Sequence, residues 1–337
     1  MHPIIKKGDV SIRYLKDGDE KYLLKWLTDP VVLTYYEGKD RPYTYKKVLE
    51  DFFLDDDETR CLVLFKNTPI GYIQFYLMIE VDGITLPTST YGMDQFIGET
   101  SYWNQGIGKN LVQSVVSYIE TTLKGSMIVM DPQKWNERAI RCYEHVGFTK
   151  VGVIPNHEYH EGKWNDCFLM VNDFATYRIQ PLSCMHEKQV TKFFTESWGS
   201  SEMVISTGTY KLHELEGFVA CSSTGKIIGA VTFKRHDRVI EIISLDSVLE
   251  NQGIGSRLIM MVELIAVEYQ YPLIRVITTN DNIRALNFYQ RKGYRLKEVI
   301  QGAVDRARQA KPEIPLIGEQ NIPIHDELIL YKKLSSY

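Results

Sequence analysis

The pentapeptide Asn-Gln-Gly-Ile-Gly occurs at residues 104–108 and again at 251–255, 147 positions later (251 − 104). Each copy follows a short strand pattern and opens into a run that is apolar at helical spacing, 111–119 in one case and 258–269 in the other. Glycines just ahead of a helix let the backbone approach a ligand closely. The free N–H groups of the helix start suit an anion such as pyrophosphate. One such turn is a weak signal, since many Gly-x-Gly loops merely turn a strand into a helix.

The duplication is what constrains the fold. Asp94 lies in the strand pattern before the first turn, and Glu241 lies 147 residues on (241 − 94) before the second. Downstream, Asn136-Glu137-Arg138-Ala139-Ile140 through Tyr143 to Gly147-Phe148 matches Asn282-Ile283-Arg284-Ala285-Leu286 through Tyr289 to Gly293-Tyr294. Three features in one order at nearly one shift make the chain a tandem repeat of a single domain. A length of 337 residues fits two domains of ordinary size, with the boundary expected near 176: residues 1–176, then 177–337.

Composition narrows the function. With 44% hydrophobic and 24% charged residues the chain has material for two cores. Five scattered cysteines form no Cys-x-x-Cys, which fits a reducing cytoplasm and argues against a zinc site. The eight histidines show no metal-ligand spacing, so no metal is assigned. No apolar run approaches membrane-spanning length, and no basic patch suggests nucleic acid. Residues 1–176 carry 19 Lys+Arg against 25 Asp+Glu, whereas 177–337 carry 20 against 18. The acidic half suits a cationic ligand; an acidic solvated surface reads equally well from charge alone.

In order, 10–14 reads as a strand, 17–27 and 44–53 as helices, and 61–65 with 70–76 as a hairpin. Residues 81–90 read as a loop, and 167–171 as the last strand of the first half. The second half repeats the pattern and adds an extension over 301–322.

Strand, glycine turn, helix, strand, then Asn-x-Arg-Ala-(Ile/Leu)-x-x-Tyr-x-x-x-Gly-(Phe/Tyr) resembles the GCN5-related N-acetyltransferases (GNATs), twice over. The resemblance implies an α/β (α+β) fold, two GNAT domains in tandem. Each would be a mixed, mostly antiparallel sheet flanked by helices, binding acetyl-coenzyme A where two central strands splay apart. The first half further resembles aminoglycoside 6'-N-acetyltransferases. Tyr91-Gly92-Met93-Asp94-Gln95-Phe96-Ile97-Gly98-Glu99, Tyr102-Trp103, Asp131-Pro132 and His157-Glu158-Tyr159-His160-Glu161-Gly162-Lys163 carry that likeness. The second half resembles a small GNAT group of unassigned substrate, through Thr279-Asn280-Asp281-Asn282 and Lys311-Pro312-Glu313-Ile314-Pro315. Trp103 and Glu250 stand where the family pattern usually has Gln or Arg.

The resemblance assigns coenzyme contacts to Phe96, Ile97, Gly98, Asn104, Gln105, Gly106, Ile107, Gly108, Lys109 and Asn136. In the second half it assigns them to Ile243, Leu245, Asn251, Gln252, Gly253, Ile254, Gly255, Ser256 and Asn282. An amine to be acetylated is protonated at neutral pH, near ~10.4 for an alkylamine, so transfer needs a general base. Asp94, on one strand face with Phe96 and Gly98, suits that role, and Glu241 its counterpart. A strand carboxylate paired with a nearby Arg or Lys is the alternative. Tyr143 and Tyr289 are the acids that the resemblance implies for the leaving thiolate. Glu99, Asp131, Glu158, Glu161 and Asp166 are candidates for holding a polyamine acceptor, a small molecule, with Tyr35 and Tyr36 stacking on its rings.

Overall fold

Three helices start on side chains that the sequence marks as caps. Thr44 accepts from the Lys47 N–H at 3.2 Å, Asn136 from Ala139 at 3.3 Å and Asn282 from Ala285 at 3.0 Å. Each satisfies an N–H that a helix start leaves unpaired. The computed structural model describes residues 3–198, 202–249 and 251–334. The chain divides into two units, residues 1–79 with 88–175, and residues 80–87 with 176–337.

The first unit opens with β1 (Ile5–Lys7), β2 (Val10–Tyr14), α1 (Glu20–Trp26), α2 (Pro30–Leu33), α3 (Tyr45–Phe52), β3 (Thr59–Phe65) and β4 (Thr68–Leu77). Lys66 and Asn67, at φ +49° and +66°, join β3 to β4 with the left-handed pair that a two-residue hairpin turn requires. The chain leaves this unit for β5 (Glu80–Val81) and β6 (Ile84–Thr85). It returns as β7 (Thr90–Ile97), α4 (Ile107–Thr121), β8 (Met127–Met130), α5 (Glu137–Glu144), β9 (Thr149–His160) and β10 (Lys163–Asp173). The sheet runs β1-β2-β3-β4-β7-β8-β10-β9. Only β7 and β8 pair in parallel, at Thr90–Met127, Tyr91–Ile128 and Gly92–Val129. Past Gly92 the two strands separate. The period-two alternation of β7 sends Met93 into the core under α4 and α5, and Phe96 into the core under α1, α2 and α3.

The second unit comprises β11 (Arg178–Pro181), α6 (Glu187–Trp198), β12 (Glu202–Ile205), β13 (Gly208–Lys211), β14 (Glu216–Cys221), β15 (Ile227–Arg235) and β16 (Ile240–Ser247). It continues with α7 (Ile254–Glu268), β17 (Leu273–Thr279), α8 (Ile283–Arg291), β18 (Arg295–Ile300), α9 (Ala303–Ala310) and β19 (Glu327–Lys333). Its sheet runs β11-β14-β15-β16-β17-β19-β18, with β16–β17 the parallel pair. Both sheets are mixed, mostly antiparallel and flanked by helices.

Three regions differ from the sequence reading. Residues 81–90 hold a small hairpin, β5–β6, turned by Asp82 and Gly83 at positive φ and grouped with the second unit. There the Thr85 N–H donates to the buried Glu263 at 2.6 Å, and Lys332 reaches both Glu263, at 2.9 Å, and the Thr85 hydroxyl. Lys292 donates to the Leu86 carbonyl at 3.3 Å. The expected strand at 167–171 is the middle of β10, which forms a long hairpin with β9 through Glu161 and Gly162. The 301–322 extension contains α9, whose Arg308 donates to the carbonyls of Pro315 and Ile324. Among the described residues, no helix is long and apolar enough to cross a membrane.

Candidate active site

The start of α4 builds one wall of the site. Gly106 caps the helix at φ +75°, and a Cβ placed there would meet nothing within 4 Å. The N–H groups of Ile107, Gly108 and Lys109 have no acceptor one turn back, as at any helix start. Gly106, Gly108, Lys109, Asn104, Phe96, Ile97, Asn136 and Tyr143 line a cleft of about 390 Å³. Arg138, Arg141 and His145 add further basic side chains to it. Gln95 donates from Nε2 to the Tyr143 hydroxyl at 2.7 Å, while its buried Oε1 has no partner. An open carbonyl at the cleft wall, helix-start N–H groups and cations suit the amides and phosphates of acetyl-coenzyme A. Three candidates contribute otherwise. The Gln105 side chain donates to the Ser101 carbonyl at 2.7 Å, Ile107 is core, and Gly98 lies under the Trp26 indole, where a Cβ would clash at 2.1 Å.

Asp94 lies two residues past the last β7–β8 pair, on the opposite face of β7 from Gln95. Gln74 Nε2 and the Tyr76 hydroxyl donate to its Oδ2 at 3.0 and 3.1 Å. Burial, and next the charge of Asp131, raise its pKa to about 6, against the hydrogen bonds that lower it. Asp131 lies 2.7 Å from His157 Nε2. Burial, together with the charges of Asp131 and Glu37, also raises the Glu158 carboxyl. Asp131 is therefore close enough to act on both Asp94 and Glu158. The phenol of Tyr36 is pushed up by burial and then by Asp94, and its ring packs on Phe96 at 4.7 Å.

The other acids are engaged elsewhere. Glu99 accepts from Lys25 at 2.5 Å and from the Trp26 indole at 2.9 Å. Against burial, these bonds hold its carboxyl below the usual range. Glu161 pairs with Lys39 at 3.5 Å, and Asp166 with Lys134 at 3.5 Å and the Asn156 N–H at 3.1 Å. Among the described residues, no cluster of three His, Cys, Asp or Glu side chains is arranged to hold a metal.

An aromatic wall that the sequence reading named only in part stands at the cleft. Tyr35 meets Trp103 edge-on at 5.7 Å and Trp135 at 5.7 Å. The Trp103 indole is fixed by donation to the Ile97 carbonyl at 2.7 Å. Arg138 lies 3.8 Å above the Trp103 ring and 4.2 Å above that of Tyr35. Trp103 was visible as a departure from a pattern. Trp135 carried no signal, because only the folded chain brings it beside Tyr35.

The second unit repeats the turn but not the carboxylate. Gly253 caps α7 at φ +70°, Asn251 has φ +59°, and Asn282 caps α8. The Arg257 guanidinium stands where a Gly253 side chain would be, 2.7 Å from the Cβ position, and the Tyr177 hydroxyl donates to the Gln252 carbonyl at 3.1 Å. Phe288 lies 3.5 Å from a Cβ placed on Gly255, and Leu245 lies 3.8 Å from it. Ile254 is core, Ile243 packs with Tyr210 and Leu215, and Ser256 sits in the first turn of α7. Tyr289 is buried, and burial raises its phenol. Glu250 lies outside the described residues. Glu241 is a strand carboxylate paired with a nearby arginine, the alternative that the sequence reading kept open. It sits inside the parallel ladder opposite Arg275 and not beyond it as Asp94 does. A bulge between Thr232 and Phe233 shifts the β15–β16 register. The buried Glu241 carboxylate accepts from Arg275 at 2.8 Å, Thr207 at 2.8 Å and Tyr210 at 3.1 Å, with His236 Nε2 3.1 Å away.

Splayed parallel strands, a glycine-capped helix beside them and a tyrosine on the next helix define an acetyltransferase. The acetyltransferase (GNAT) domain family matches residues 16–155, and the acetyltransferase (GNAT) family matches residues 185–294. The chain belongs to the GNAT acetyltransferases, carries two such domains in tandem, and is an acetyl-coenzyme A-dependent N-acetyltransferase. It is 48% identical to the uncharacterized protein YxbD of Bacillus subtilis over 156 residues, 46% of this chain and 98% of that protein. It is 28% identical to aminoglycoside N(6')-acetyltransferase type 1 of Klebsiella pneumoniae over 153 residues, 43% of this chain and 76% of that protein. A solved structure of aminoglycoside acetyltransferase AAC(6')-Ib with coenzyme A is 25% identical, covering 49% of this chain and 95% of that one at a TM-score of 0.43.

Proposed function

We propose that the first unit transfers acetyl from acetyl-coenzyme A to a primary amine of a polycationic small molecule, foremost the 6'-amine of an aminoglycoside. The observation that carries this reading is Asp94, a carboxyl with a pKa of about 6 where β7 and β8 part. At neutral pH it is mostly ionised yet more basic than an ordinary aspartate, as a general base should be. Asp94 takes the proton from the ammonium, directly or through water, and the freed amine attacks the thioester carbonyl. The carbon–sulfur bond breaks and Tyr143 gives the departing sulfur a proton; the proton shed by the new amide nitrogen restores the Tyr143 phenol through water, and Asp94 releases its proton to solvent. Burial keeps that phenol protonated, and Gln95 donates to its oxygen, leaving the O–H free to point elsewhere. Gly106, Gly108 and Lys109 hold the phosphates, and Asn104, Asn136, Phe96 and Ile97 line the arm. Asp131 and Glu158 supply further negative charge for the acceptor.

For the second unit, the Glu241–Arg275 pair favours a different role: a module that holds acetyl-coenzyme A or supports the fold without sharing the base. The test is acetyl transfer by the full chain to kanamycin, ribostamycin, spermidine and a simple monoamine, followed by thiol release and product mass. Acetylated aminoglycoside, lost in Asp94→Asn, is the expected result. If the monoamine reacts as well as the polyamines, the acceptor assignment falls.

A further inference from the structure

Arg138 is a cation with no matching anion. Among the described residues it makes no ion pair or hydrogen bond, and its contacts are the π faces of Trp103 and Tyr35. It occupies the first turn of α5, behind the Asn136 cap, where the helix dipole disfavours positive charge. The rings that hold it are built for a cation. Trp103 is pinned to the Ile97 carbonyl, Tyr35 stands nearly perpendicular to it at 85°, and Trp135 closes on Tyr35 from another side. Arg138, Tyr35 and Trp103 line the same cleft as Gly106, Gly108 and Lys109 at the start of α4.

We propose that Arg138 is an internal stand-in for the acceptor's cation: it fills the Tyr35–Trp103 box while the donor is absent and leaves it for the donor's phosphates. The inference rests on the acceptor reading given above. A guanidinium gains more from a phosphate, through charge-assisted paired hydrogen bonds, than from an aromatic face at a partly exposed site. Donor binding therefore draws Arg138 towards the start of α4. The emptied box then offers two aromatic faces to an ammonium group of the acceptor. Arg138 is thus a positioning residue that couples the two substrate subsites, contributing in opposite directions to each in the free protein. No bond is made or broken in this step; one cation replaces another on the same rings.

The test uses the full chain and Arg138→Gln, an exposed substitution that leaves Asn136 capping α5; thermal unfolding checks that the variant folds. Kanamycin binding is measured by calorimetry with and without saturating desulfo-coenzyme A, which cannot accept or donate acetyl. In the natural protein the donor analogue should tighten kanamycin binding. In Arg138→Gln, kanamycin should bind the donor-free protein about threefold more tightly, as for one exposed cation–π competitor removed. The analogue itself should bind about tenfold more weakly, as for one lost charge-assisted contact. The tightening of kanamycin by the analogue should vanish. An unchanged coupling, or a variant that binds both ligands like the natural protein, overturns the proposal. The donor arm separates the two readings. If kanamycin binds in no state while the analogue changes tryptophan fluorescence in the natural protein and not in Arg138→Gln, the acceptor reading falls and the movement of Arg138 stands. If neither protein responds, the movement falls.

Discussion

Gln95 donates to the Tyr143 hydroxyl at 2.7 Å, tying β7 to α5 where the parallel strands separate. The bond orients the phenol and leaves its proton for another acceptor. Tyr143→Phe should therefore lower kcat about 10²-fold, the lower range for loss of an acid or base, with donor KM little changed. It should also destabilise the first unit by about 1 kcal/mol, since the Gln95 amide loses a buried partner. Steady-state kinetics and thermal unfolding read the two effects separately. A kcat equal to that of the natural enzyme removes Tyr143 as the acid.

Asp94→Asn should reduce turnover by ~10²–10⁴-fold while leaving coenzyme binding intact. The same change should stabilise the fold at neutral pH. The carboxyl titrates higher in the fold than in the unfolded chain, so its contribution falls as pH rises from about 4 towards 6 and stays unfavourable above. Removing the charge returns about 3 kcal/mol at pH 7 and nothing below pH 4. Melting temperatures at pH 4 and pH 7.5 should show a gain at the higher pH alone.

The acid limb of the kcat/KM profile should have its midpoint near the Asp94 pKa of about 6, with activity rising as pH increases through it. Because the charge of Asp131 helps to raise that value, Asp131→Asn should move the midpoint to lower pH. A midpoint that stays in place, with acceptor KM unchanged, would separate Asp131 from the site.

Polycationic acceptors should feel salt more than monoamines do. Exposed charge attraction is screened beyond about 8 Å at physiological ionic strength. Kanamycin KM should rise between low and high salt, the monoamine KM should hardly move, and the donor KM serves as the control. Equal salt effects on both amines would count against a shared role for Asp94, Asp131 and Glu158.

Glu241→Gln should act on stability. It leaves the Arg275 guanidinium without its anion in a buried ladder, a loss of about 3–5 kcal/mol for a broken buried pair. Calorimetry of the full chain should show one transition shifted down. Acetylation by the first unit, measured well below that transition, should be unchanged.

Local signals were legible and distant ones were not. The glycine turns are written in neighbouring residues and open helices in both units, and the Asn136 and Asn282 caps are just as local. Alternation alone puts Asp94 on one face of the strand with Phe96. Its raised pKa was not visible, because burial sets it first and the charge of Asp131, just past the end of the next strand, adds to it. The pairing of Glu241 was not visible, because its partner Arg275 is 34 residues away. Glu99 was taken for an acceptor contact, yet the Trp26 indole and Lys25 reach it from a helix 73 and 74 residues earlier. The β5–β6 hairpin did have a signal, the Asp82-Gly83 turn, obscured by the proline and threonines after it.

That hairpin has a consequence for ancestry. Residues 80–87 are encoded inside the first copy of the duplicated domain but complete the second, covering Glu263, Lys292 and Lys332. Once one copy had lent this piece to the other, recombination at the boundary near 176 would separate a domain from part of itself. The dependence runs one way: the second copy needs a segment that the first copy's stretch of chain carries, while a counterpart of the first copy stands alone in YxbD.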